Sequence, residues 1–111
     1  MKTACLIVLL MMPCSAKAHT LDRNLQHGKA LLMRMCSECH ATGETGQSPH
    51  PYAPAFRTFS EEKLYDEDFR ERLQNGLSTT HRDMPTFHFR EQDAQDAVDY
   101  LKWLHDRTSR K

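Results

Sequence analysis

The chain carries no surplus of charge of either sign. Lys and Arg together number 15 and Asp and Glu number 15, for a formal net charge of 0 with histidine neutral. No basic run stands out, which removes the usual electrostatic footprint for nucleic acid. Long apolar runs are also missing. The longest, Ala4 through Met12, has nine residues, where a bilayer-spanning helix needs about 20. There is no internal repeat, no low-complexity segment and no alternating strand pattern, so neither a repeat array nor a sheet is indicated. Cysteine is scarce: four in 111 residues, two of them, Cys5 and Cys14, inside or next to the N-terminal apolar run.

That N-terminal stretch reads as a secretory signal peptide over residues 1–18. Lys2 supplies the positive start, Pro13 ends the apolar run, and Ala16-Lys17-Ala18 is an A-x-A cleavage site. A lipoprotein start at Cys14 is the rival, but Met12-Pro13 is a poor context for it. The expected mature chain is therefore residues 19–111, a single domain. Cleavage removes Lys2 and Lys17, so 15 basic residues become 13 against 15 acidic ones, formally −2. It also removes Cys5 and Cys14, leaving Cys36 and Cys39. About 93 residues with thin apolar content form a small core, and such domains commonly lean on a disulfide, a metal or a cofactor.

What is present is concentrated at Cys36-Ser37-Glu38-Cys39-His40. This is C-x-x-C-H, the attachment sequence of a c-type haem. Two thiols three residues apart share one face of a helical turn, where each can add to a vinyl group of one porphyrin. His40 then lies under the iron as an imidazole ligand. The rival reading is a haem-free dithiol, in which the same two cysteines form a redox disulfide. That wants a βαβ context, and none is visible.

The flanking pattern is helical. Leu21, Leu25, Gly28, Leu31, Leu32 and Met35 recur at spacings of three and four up to Cys36, with Thr20 or Asp22 as cap. Gly28 sits inside that helix, where close approach of another helix would explain it. From Ala41 to Pro54 the period stops, and Gly43, Gly46, Ser48, Pro49, Pro51 and Pro54 mark a long loop. Ala55 to Leu64 reads as a short helix or irregular turn around Phe56 and Phe59. Asp66 to Gln74 reads as a short helix capped by Asp66 and ended by Asn75-Gly76. Leu77 to Arg90 contains Pro85 and reads as loop. Glu91 to Asp106 is the clearest helix, with Ala94, Ala97, Val98, Leu101 and Leu104 in one stripe, widened by Tyr100 and Trp103. The tail Arg107 to Lys111 is expected to fray.

An iron held by one histidine leaves a sixth position, and its occupant separates electron transfer from chemistry. Met33 and Met35 precede Cys36 on the proximal side and read as helical core filler. Met84 lies 44 residues after His40, in the loop His81-Arg82-Asp83-Met84-Pro85-Thr86-Phe87. Pro85 holds Met84 out of the helical region, so the loop can lay a thioether across a flat ring. Thioether sulfur is a soft ligand that raises the reduction potential relative to two histidines. His81 is the substitute candidate. His50 and His88 read as solvated loop residues, and His19, His27 and His105 as surface residues.

Taken in order, these pieces resemble the small soluble class I cytochromes c of bacteria. The resemblance rests on Gly28 through His40, on Tyr52-Ala53-Pro54, on Asp83-Met84-Pro85, and on Asp99 through Leu104. It implies an all-α fold, three to five short helices wrapped round one covalently bound haem c. Cys36 and Cys39 would form the thioethers, and His40 and Met84 the axial pair. Pro54 would offer its backbone carbonyl to the His40 ring N–H. Gly28 and Leu32 would cross the last helix near Ala97, Tyr100 and Leu101. Many members carry an aromatic where Leu32 stands. The implied function is periplasmic one-electron transfer between a redox protein donor and acceptor, without catalysis, by a monomer with no stable membrane insertion once the leader is cut. The alternative is a haem enzyme or a gas or redox sensor with a displaceable sixth ligand, for which His81-Arg82 could serve. The near-neutral charge argues against strong single-sign steering of partners.

Overall fold

The structure, a computed structural model, describes residues 21–77 and 81–111. The predicted leader and the candidate cap Thr20 lie outside the described residues. Among these residues there are four α-helices, one 3₁₀ turn and no strand.

Helix α1 runs Arg23–Cys36. Asp22 caps it, its side chain accepting from Asn24 N at 3.3 Å, because the first backbone N–H groups of a helix have no intrahelical partner. After a long loop, a 3₁₀ turn spans Phe56–Thr58. Helix α2, Glu61–Tyr65, follows, with Ser60 accepting from Lys63 N at 3.3 Å. The single short helix or turn expected over 55–64 is thus two elements, separated where Phe59 turns back to extended backbone at φ −63°, ψ 136°. Helix α3 runs Glu67–Asn75, capped by Asp66 through Asp68 N at 3.0 Å. Gly76 ends it at φ 101°, a conformation open to glycine at no steric cost.

Helix α4 runs Glu91–Ser109, three residues beyond its expected end. The basic tail that charge alone would leave frayed is held by contacts. Arg107 Nε donates to Glu44 Oε1 at 3.1 Å, Lys111 Nζ to Glu44 Oε2 at 3.2 Å, and the Arg107 guanidinium lies 5.1 Å from the Trp103 ring centre.

The core forms where α4 lays its stripe against the rest. Ala94, Ala97, Val98, Leu101 and Leu104 are buried, with Leu32, Phe56, Leu64, Phe69 and Leu73 packed on them. Fully burying one such aliphatic side chain contributes about 1.5–3 kcal/mol. The most extensive contact is α1 against α4. Gly28 makes it possible: a Cβ built there would lie 2.5 Å from the Asp96 carbonyl carbon and 3.1 Å from Ala97 N, with the Asp96 carbonyl oxygen nearer still. Leu32 packs into the same cluster on the following turn, and Leu31 is also buried. Met33 departs from the expected core role and is 48% exposed, since it points away from α4, whereas Met35 packs against the core.

Candidate functional site

The crossing of α1 and α4 fixes the end of α1, and the attachment motif begins there. Cys36 is the last residue of α1. Its carbonyl accepts from Cys39 N at 3.1 Å and from His40 N at 2.9 Å, so the chain closes into a tight turn between the two thiols. Both cysteines are free thiols and partly buried. Burial, and then the charge of Cys39, push the Cys36 thiol up to about 11. It is neutral near pH 7, so an uncharged thioether can replace it without placing a charge in that partly buried position.

His40 is fixed from two sides. Its Nδ1 donates to the Pro54 carbonyl at 2.7 Å, and its ring stacks on Phe56 with centres 4.7 Å apart and planes at 28°. A neutral imidazole that donates from Nδ1 carries its lone pair on Nε2, the atom a metal would take. The supporting loop is itself tied down. Ala41 N donates to Ser48 Oγ at 3.0 Å, Phe56 N to Ala41 O at 3.0 Å, and the buried Tyr100 hydroxyl to Thr42 O at 2.8 Å. Desolvation, then the Glu44 carboxylate, hold the Tyr100 phenol above its ordinary value, so it is a permanent donor at neutral pH.

Met84 is partly buried, on the loop between α3 and α4. Its N–H donates to His81 O at 3.3 Å. The far end of this loop is held to α3: Phe89 N donates to Leu73 O at 2.9 Å and His88 Nδ1 to Gln74 O at 3.3 Å. Its middle reaches the attachment loop, where His50 Nε2 lies 3.3 Å from Asp83 Oδ2 while His50 N donates to Cys39 O at 3.2 Å. The segment carrying Met84 is thereby tethered to the segment carrying Cys39.

These residues fit a covalently attached haem. The fold offers two thiols on one turn, an imidazole oriented by a backbone carbonyl, and a thioether on a tethered loop. Among the described residues no three His, Cys, Asp or Glu side chains converge as an all-protein metal site. A porphyrin brings four nitrogen donors and asks the protein only for axial ligands.

The comparison with family models agrees with this chemistry: residues 25–105 match the cytochrome c model. The chain belongs to the cytochrome c family. That match takes in α1 from Leu25, the attachment motif, the Met84 loop and α4 up to His105. Members of the cytochrome c family are haem-binding proteins that typically transfer electrons, and the all-α fold is that of the family. Neither curated proteins nor solved structures returned a match. No helix among the described residues is long and apolar enough to cross a membrane.

Several contacts escape a reading of local pattern. His27 is at the surface as expected, yet donates from Nδ1 to Asp96 Oδ2 at 2.6 Å, with Asp96 only 3% exposed. His50, expected to be solvated, holds Asp83. Glu44 receives the α4 tail. The partners are 69, 33 and 63 residues apart in the chain, beyond the reach of any short-range signal.

Proposed function

We propose that this cytochrome c is an exported one-electron carrier whose haem is held by thioethers from Cys36 and Cys39, with His40 and Met84 as axial ligands. The observation that carries the reading is the tethering of the Met84 loop to the attachment turn through His50, together with the Nδ1–H of His40 on Pro54 O at 2.7 Å. The bound haem iron supplies a one-electron couple. The residues of the chain do the rest. The two cysteines anchor the group at the end of α1. Pro54 and Phe56 set the plane and basicity of the His40 ring. Met84 offers a soft sulfur that favours the reduced metal and raises the potential. Such a carrier needs no general acid, base or substrate pocket.

The leader over residues 1–18, with export to the periplasm of a bacterium and cleavage after Ala18, belongs to this proposal. A transported chain meets haem-attachment chemistry outside the cytoplasm, and a monomer with an accessible haem edge suits transient docking of a redox donor and acceptor.

The test is a redox-titrated absorption spectrum of the purified holoprotein beside Met84→Ala. The wild type is expected to show the long-wavelength sulfur-to-iron charge-transfer band in its ferric form and to bind cyanide slowly. The variant is expected to lose that band, bind cyanide readily and titrate at a lower potential. An unchanged spectrum in the variant refutes the ligand assignment. A high-spin wild type that binds cyanide or CO at once refutes the carrier reading and favours a haem enzyme or sensor.

A further inference from the structure

The His50 ring is placed by three backbone hydrogen bonds. Its own N–H donates to Cys39 O at 3.2 Å, its carbonyl accepts from Ala53 N at 3.2 Å, and its Nδ1 accepts from Tyr52 N at 3.2 Å. The last of these decides the tautomer. A backbone N–H can only donate, so Nδ1 must carry the lone pair and the neutral ring must carry its proton on Nε2. Nε2 is the atom facing Asp83 Oδ2 at 3.3 Å. Asp83 directly precedes Met84. The imidazole is partly shielded, at 29% side-chain exposure, while Asp83 is 77% exposed, so His50 is the fixed half of the pair and Asp83 the half that is captured.

We propose that His50 is a positioning residue for the sixth ligand: a latch, anchored on the carbonyl of the second haem-attaching cysteine, that grips Asp83 and limits how far the Met84 loop swings away. The proposal rests on the reading of Met84 as an iron ligand. Met84 N–H bonds within its own loop, to His81 O, and the ties at His88 and Phe89 lie four and five residues further on. The His50–Asp83 bond, by contrast, acts on the residue next to the ligand. Breaking it removes a tie beside the ligand and raises the fraction of time that the sixth position is open to an external ligand.

The experiment is a double-mutant cycle on the ferric holoprotein, read as the cyanide association rate in wild type, His50→Ala, Asp83→Ala and the double variant. Each single variant is expected to bind cyanide about fivefold faster, the effect of one partly exposed hydrogen bond. The double variant is expected to be no faster than either single one. Asp83→Asn, whose amide oxygen still accepts from Nε2–H, should remain near the wild-type rate. The nitrogen shifts of His50 should report the Nε2–H tautomer, and the Met84 amide should exchange faster in His50→Ala than in wild type. Wild-type cyanide rates in both single variants, effects that multiply in the double variant, or an Nδ1–H tautomer would each overturn the latch. An unchanged spectrum in Met84→Ala would overturn the ligand reading and, with it, the role of the latch at the sixth position, whereas the tautomer and the amide exchange judge the His50–Asp83 bond separately.

Discussion

The contact that most constrains this cytochrome c is the crossing of α1 and α4 at Gly28, and Gly28→Ala puts it to a quantitative test. A methyl group there would lie 2.5 Å from the Asp96 carbonyl carbon, against an ordinary contact of at least 3.4 Å. The obstacle is helix backbone, which cannot rotate aside, so α1 has to retreat from α4 by about 1 Å, and close-packed interiors transmit such a shift. Overpacking of this kind costs about 3 kcal/mol or somewhat more. Alanine returns about 1 kcal/mol through its better helix propensity. The net loss is therefore about 2–3 kcal/mol, which lowers the urea midpoint by about 1–1.5 M for a domain of this size. Urea unfolding of the holoprotein, followed by Trp103 fluorescence, measures it. Gly43→Ala is the control, since nothing lies within 4 Å of a Cβ there. Because α1 ends at Cys36, Gly28→Ala should also lower the yield of covalently attached haem. A Gly28→Ala protein as stable as wild type would show that the two helices do not meet at this glycine.

Two further expectations follow from contacts distant in sequence. In His27→Ala the buried Asp96 carboxylate keeps Gln92 Nε2 at 2.8 Å but loses its partner at 2.6 Å, so unfolding free energy at pH 7 should fall by about 1–2 kcal/mol; no loss would mean that water replaces the imidazole without penalty. The second concerns Glu44, which Lys111 and then Arg107 hold below the usual carboxylate range. A depressed folded-state value means that the stabilisation is fully present above the unfolded-state value and is lost as pH falls through the folded one. Wild type should therefore exceed Glu44→Gln in stability at pH 7, the gap should close on acidification through and below the carboxylate range, and high salt should narrow it because the cluster is exposed. A gap that persists in acid would refute the ion-pair origin.

Why some features were legible and others not comes down to the range of the interaction. Asp66 and Gly76 bracket α3 because a cap is satisfied within two or three residues. The α4 stripe is visible because a helix repeats every 3.6 residues, and burial follows that period. Gly28 was readable as a close approach, though not as an approach to the Asp96 carbonyl. The extension of α4 to Ser109 was not readable. Arg107 and Lys111 look like a frayed basic tail until Glu44, more than 60 residues earlier, is placed beside them. Met33 and Met35 look alike in sequence, and only the direction of α4 separates the exposed one from the packed one.

The chemistry of this cytochrome c is written locally, because C-x-x-C-H needs only one turn to present two thiols and an imidazole to the same side. The helices too are local, set by period, caps and glycine. What only the tertiary structure decided is how the pieces restrain one another: Tyr100 on the carbonyl of Thr42, the α4 tail on Glu44, and His50 between Cys39 and Asp83. Each is a single hydrogen bond or ion pair between segments far apart in the chain. Its partner is chosen by how the helices cross, and no periodicity or composition records that choice.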